Sequence, residues 1–156
     1  MEKPGTGTDR IEREIFIRAP RSKVWRALTD AKEFGKWFGA EMRDAFVPGV
    51  VARGQITHPG YEHVTLEMDV ERMEPERVFS WRWHPHAVDP AKDYSTEPTT
   101  LVFFELEDVP EGTLVRVTES GFDQIPVARR VEAFRLNGEG WGQQVHNLER
   151  HVGEKP

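Results

Sequence analysis

The 156 residues suit one domain, and a chain of this length buries roughly 70% of its extended surface on folding. It contains no cysteine, which excludes disulfides, thiolate metal sites and cysteine nucleophiles. The net charge is −6 with Lys and Arg dispersed, which argues against nucleic acid as a partner, and no apolar run approaches the roughly 20 residues of a membrane helix.

Residues 1–9 are polar, contain Gly5 and Gly7, and lack the apolar core of a signal peptide. They read as a disordered tail on a cytoplasmic protein, with a single domain expected over residues 10–153. Ile11, Ile15 and Ile17 then share one parity between charged residues, which predicts a strand ending near Arg18. Pro20 suits a helix start, and Val24, Trp25 and Leu28 fit one helical face. Thr29 and Asp30 offer capping oxygens for a second short helix. The apolar side of that helix is Phe34, Trp37 and Phe38, and Gly39 is its stop.

The middle of the chain reads as β. Pro48-Gly49 and His58-Pro59-Gly60 are turn signals beside a strand over Val50 to Thr57. Val64, Leu66, Met68 and Val70 alternate with polar residues, so Val64 to Glu71 predicts a strand with one dry face. Val78 to His84 follows, with Phe79, Trp81 and Trp83 on one parity. Pro85 to Pro98 is polar and reads as a loop or lid before two more strands, Thr100 to Leu106 and Thr113 to Ser120. From Val127 through Val131, Phe134, Gly138, Trp141, Val145 and Leu148 to Val152, apolar or small residues step by four and three. That spacing predicts one long helix with a dry stripe, and a sheet with one dry face must be covered by it. The fold class is therefore α+β: an antiparallel sheet around a long C-terminal helix, with two short helices after the first strand.

Several segments in order resemble one known family. Val24-Trp25-Arg26-Ala27-Leu28-Thr29-Asp30, Trp37-Phe38-Gly39, Pro48-Gly49, Glu76-Arg77-Val78-Phe79-Ser80-Trp81, Thr118-Glu119-Ser120-Gly121-Phe122 and Gly140-Trp141 are similar to the signature segments of the family related to the activator of heat-shock-protein-90 ATPase. One departure is Val50, where many relatives carry a second Gly after the Pro-Gly turn. The resemblance implies a START-like (SRPBCC) helix-grip fold of about six or seven strands. That superfamily includes lipid carriers, hormone receptors and polyketide cyclases. No shared catalytic motif transfers with it, and fold alone does not fix function.

An aromatic-lined cavity between sheet and helix is the expected ligand site. Its candidate lining is Trp37, Phe38, Met68, Trp81, Trp83, Phe104, Glu119, Phe134, Gly138 and Trp141, and the opposing reading of the aromatics is a packed core. Gly138 and Gly142 weaken a helix interior, so they mark cavity space, a kink, or close approach of a strand. Glu119 shares parity with Val115 and Val117, so it reads as a ligand anchor or as a general acid or base with a raised pKa, with Arg82 or Tyr61 as partner. A position in water at the strand end is weighed above that. His84-x-His86 lacks a third ligand at metal spacing, so no metal is expected. The serines lack a nucleophile-elbow context, and neither a phosphate loop nor a dinucleotide fingerprint occurs, so no catalytic residue or cofactor is expected. The expected function is binding of an apolar or amphipathic small molecule, with the short helices and the Pro85 to Pro98 loop as gate. The alternatives are an interaction module with a chaperone partner, and an enzyme of the cyclase, dehydratase or hydrolase kind. Homodimerisation stays open.

Overall fold

A computed structural model describes residues 9–154, so of the tail expected over residues 1–9 all but Asp9 lies outside the described residues, and the Asp9 carbonyl accepts from the Gly121 and Phe122 amides. Seven strands form one antiparallel sheet in the order β1-β7-β6-β5-β4-β3-β2. They are β1 (Arg10–Ile17), β2 (Ala40–Met42), β3 (Val51–Ile56), β4 (Thr65–Glu74), β5 (Val78–Trp83), β6 (Thr100–Val109) and β7 (Gly112–Ser120). Helices α1 (Arg21–Thr29) and α2 (Ala31–Phe38) follow β1, and α3 (Val127–Glu154) closes the chain after a short 3-10 turn at Phe122–Gln124. Pairing of β1 with β7 brings the first and last strands together along an eight-residue register, Arg10 opposite Ser120 to Ile17 opposite Thr113.

Local chemistry sets the boundaries. Pro20 stands at the N-cap of α1, and its carbonyl accepts from the Lys23 and Val24 amides. The Asp30 carboxylate accepts from the amides of Lys32 and Glu33, satisfying two orphan donors at the start of α2. Gly39 ends α2 at φ 94°, a left-handed conformation suited to glycine. The alternation of β4 places Leu66, Met68 and Val70 inside, and a bulge between Val70 and Arg72 bends the strand against β5. On β7, Thr113, Val115, Val117 and Glu119 all point inward.

Gly35 is required for a different reason. An added Cβ would stand 2.2 Å from the Ala40 carbonyl oxygen, because α2 runs back tightly over β2. Gly to Ala inside a helix ordinarily stabilises by up to about 1 kcal/mol. Here the sign is expected to reverse: Gly35→Ala should lower the midpoint of urea unfolding, whereas Gly140→Ala, where a Cβ meets nothing, should raise or preserve it.

Two expectations about α3 need correction. The dry stripe does not run its whole length: Val127 and Val131 are each 74% exposed. The chain leaves the sheet after Ser120, and α3 starts beyond the sheet's end, with burial beginning at Ala133. Nor does Gly138 open a cavity or a kink. Arg13 reaches across from β1 and donates to the Gly138 carbonyl at 3.1 Å, and Ile11 lies 3.9 Å from where a Cβ would be. Gly138 is a point of close strand approach, and the helix runs through it unbroken.

Candidate functional site

The interior between sheet and helices is filled by rings. Phe34 stacks on Phe38 at 4.8 Å and meets Trp37, Phe46 and Trp81 edge to face at 5.1, 5.3 and 5.9 Å. Trp81 also stacks on Phe104 at 5.8 Å, and the Trp37 indole N–H donates to the Ala27 carbonyl at 2.8 Å. Trp37, Trp81 and Phe104, with Met68, are therefore core rather than cavity wall. Phe134 packs against Phe122 at 5.3 Å, below the end of the sheet.

Open space lies to one side of this core, where α2, the end of β5 and α3 meet. A cleft of about 600 Å³ is bounded by Phe38, Trp83, the β3–β4 hairpin (Tyr61) and the loop after β5 (His84, His86, Tyr94). A smaller cavity of about 120 Å³ lies between Phe38, Trp83 and the α3 residues Asn137, Trp141 and Gln144. Phe38, Trp83, Asn137 and Gln144 border both spaces. The spacing 137, 141, 144 keeps the three helical side chains on one face. Gln144 Nε2 donates to the Phe38 carbonyl at 2.8 Å, which satisfies an orphan acceptor at the end of α2 and fixes the wall.

The loop over the cleft is anchored. Arg129 on α3 pairs with Glu97 at 2.7 Å, donates to the Pro85 carbonyl at 2.8 Å, and lies 4.7 Å from the Tyr94 ring centroid. Hydrogen bonding from Arg129 holds the Glu97 carboxyl below its ordinary pKa. On the other side, His63 Nε2 meets the Val88 carbonyl at 2.8 Å. Burial lowers the pKa of His86, so its imidazole faces the cleft neutral near pH 7. Of the elements expected as gate, the two short helices and the Pro85 to Pro98 loop, only the loop and the end of α2 border the cleft. Helix α1 packs behind and lines neither space.

Glu119 is fully buried, against the expectation of a strand-end position in water. Four neutral donors from three elements surround its carboxylate. Trp83 Nε1 (2.8 Å) and Thr100 Oγ1 (2.6 Å) donate to one oxygen, Trp141 Nε1 (2.8 Å) to the other, and Asn137 Nδ2 lies at 3.0 and 3.3 Å from the two. Desolvation raises its pKa, and the four hydrogen bonds oppose that rise. Among the described residues no cation pairs with it. The partners suggested by sequence are elsewhere: Arg82 pairs with Glu71 at 3.0 Å on the surface, and Tyr61 stands on the rim of the cleft. Glu119 does not line the cleft itself. Its hydrogen bonds reach Trp83 and Asn137, which do.

Of the ten residues singled out by sequence, the structure brings Phe38, Trp83 and Trp141 to open space and Glu119 directly behind them. It leaves Trp37, Met68, Trp81, Phe104, Phe134 and Gly138 off both cavities. Sequence reasoning missed Asn137 and Gln144. Their signal was available: two amides flanking Trp141 at the edge of an apolar helical stripe. Among the described residues no group of three His, Asp or Glu side chains is placed to hold a metal, and no helix is long and apolar enough to cross a membrane.

Comparison with known proteins places this architecture. Solved structures share it: MLL2253 from Mesorhizobium loti is 24% identical, with 94% of this chain and 98% of that one aligned at a TM-score of 0.74. Aha1 from Colwellia psychrerythraea, solved in solution as a dimer, is 21% identical over 94% and 98% of the two chains at 0.69. DynU16, from the dynemicin biosynthetic locus, is 21% identical at 0.72, and this chain spans about half its length, 48%. At these identities the likeness establishes the fold alone. No curated protein matches the chain. A family model described as Activator of Hsp90 ATPase homolog 1-like protein matches residues 18–153, from the end of β1 to the last turn of α3. With the sheet, the grip of α3 and the family model in agreement, the chain belongs to the Activator of Hsp90 ATPase homolog 1-like family and carries its helix-grip fold.

Proposed function

We propose that the protein binds an amphipathic small molecule in the side cleft, with its apolar body against Phe38 and Trp83 and its polar end toward Asn137 and Gln144. The observation that carries this reading is the contrast between a ring-filled interior and an open, aromatic-walled space whose polar groups are held in place from behind. A volume of about 600 Å³ falls in the range of roughly 300–1,000 Å³ typical of small-molecule sites. Binding would come mainly from burial of apolar surface, at about 25 cal/mol per Å² before ordering costs. An enzymatic role needs a reactive group converging on the ligand. Glu119 is set behind the wall with both oxygens engaged, which supports binding over catalysis.

The test is titration with N-phenyl-1-naphthylamine, a neutral fluorescent probe, alongside native mass spectrometry of the complex. One equivalent is expected to bind, and Phe38→Ala to weaken it roughly tenfold, about 1.4 kcal/mol. A folded protein that fails to bind the probe, or binds it equally well after Phe38→Ala, would move the interaction-module reading into first place.

A further inference from the structure

The geometry points to a ligand class for this cleft: an amphipathic organic cation, an apolar body ending in a protonated amine that enters the small cavity beside Asn137. The inference rests on the cleft being a ligand site and goes further by fixing the chemistry of the polar end. Its basis is the direction of every side-chain nitrogen around that cavity. Trp83 Nε1 and Trp141 Nε1 both donate inward to Glu119. Gln144 Nε2 donates to the Phe38 carbonyl. The Asn137 amide follows the same direction, with Nδ2 lying 3.0 and 3.3 Å from the two Glu119 oxygens. The other branch of that amide, Oδ1, has no hydrogen-bond partner among the described residues, and Asn137 borders both spaces. Gln144 Oε1 accepts from Asn147 and keeps a second lone pair. What the cavity offers is acceptors.

Two further features act in the same direction. The walls are π faces, Trp83 stacked on Trp141 at 6.0 Å and Phe38 tilted against both at 6.0 and 6.3 Å, and such faces attract a cation. On the rim of the larger cleft, Asp93 carries negative charge, Glu67 is paired with Arg53 at 3.1 Å, and the Lys92 ammonium lies 3.3 Å from the Glu97 carboxylate. An anionic ligand end would meet amide oxygens, with the Trp83 and Trp141 indole N–H groups turned away. A protonated amine would meet acceptors and ring faces.

Three probes of matched body separate the outcomes: 2-naphthylmethylamine (protonated near neutral pH), 2-naphthylmethanol and 2-naphthoate, compared by isothermal titration calorimetry. The amine is expected to bind roughly tenfold or more tighter than the carboxylate, with the alcohol between, in keeping with the cost of a like charge against a gain for an opposite one. Asn137→Leu, on a partly exposed position and checked for folding by circular dichroism, is expected to bring the three affinities together. Equal or tighter binding of 2-naphthoate by the wild type would overturn the cation assignment and leave the cleft reading standing. Undiminished preference for the amine in Asn137→Leu would overturn the role given to the amide. Absence of binding by all three, together with absence of binding by the neutral fluorescent probe, would remove both.

Discussion

Glu119→Ala is expected to destabilise the fold by about 3–5 kcal/mol, far more than its place at the end of β7 suggests. The carboxylate is the common acceptor for β5 (Trp83), β6 (Thr100) and α3 (Asn137 and Trp141). Removing it leaves buried indole and hydroxyl donors without a partner and opens a void beside them. Relief of the desolvation of the buried carboxyl offsets part of this, so a loss beyond the stated range is not expected. Glu119→Gln keeps the volume and one acceptor but turns an amide NH2 toward a donor, and its expected cost is about 1–3 kcal/mol. Urea unfolding with an unchanged slope is the measurement. A Glu119→Ala protein within about 1 kcal/mol of wild type would show that α3 is held to the sheet without the Glu119 network.

The same group gives the stability a pH dependence of defined sign. Burial raises the Glu119 pKa in the folded protein above the unfolded value of about 4.3. Below the unfolded value both states are protonated, and the group's favourable contribution is fully present. As pH rises, the unfolded chain ionises first and stability falls, until the contribution is lost once pH passes the raised folded value. The Thr100 hydroxyl at 2.6 Å can accept the hydrogen of the protonated form. Subtracting the Glu119→Gln curve cancels the other titrating groups. The stability advantage of wild type over Glu119→Gln should therefore shrink from pH 4 toward neutrality. An advantage that grows with pH would mean that the four donors outweigh desolvation and hold the carboxyl below its ordinary pKa.

What could be read from sequence divides along the range of the interactions involved. The alternation of β4, the Asp30 cap and the Gly39 stop are set within a few residues, and the structure shows each where the pattern placed it. The three-residue β2 gave no periodic signal and exists only by pairing with β3. The parity of Glu119 with Val115 and Val117 set its direction, but its depth is decided by Trp83, Thr100, Asn137 and Trp141, which lie 18 to 36 positions away in the chain. Gly138 shows the same limit, since the side chain that occupies its space, Arg13, comes from 125 positions away. Pattern also tells that Trp81, Phe104 and Trp83 face inward without telling that the first two fill the interior and the third borders a cleft. That distinction depends on how far α2 leans over the sheet, which the close contact at Gly35 fixes.

Phe34→Ala tests whether core and cleft are one mechanical unit. Phe34 is fully buried and touches four rings, so its truncation should cost about 3–5 kcal/mol through lost burial and an incompletely collapsed void. It also supports the cleft wall from behind, because its ring stacks on Phe38 at 4.8 Å, a closer approach than Phe38 makes to Trp83 or Trp141. Phe34→Ala should therefore weaken N-phenyl-1-naphthylamine binding even at temperatures where the variant stays folded. Phe38→Ala should weaken binding at least as much with a smaller loss of stability, since that ring is partly exposed and leaves its space to water. In the double variant the binding losses should fall short of additive, as contacting residues that act through one another do. Full additivity would mean that Phe38 is held by Trp83 and Trp141 from across the cleft. The wall would then be positioned by α3 and the Glu119 network rather than by the core beneath α2.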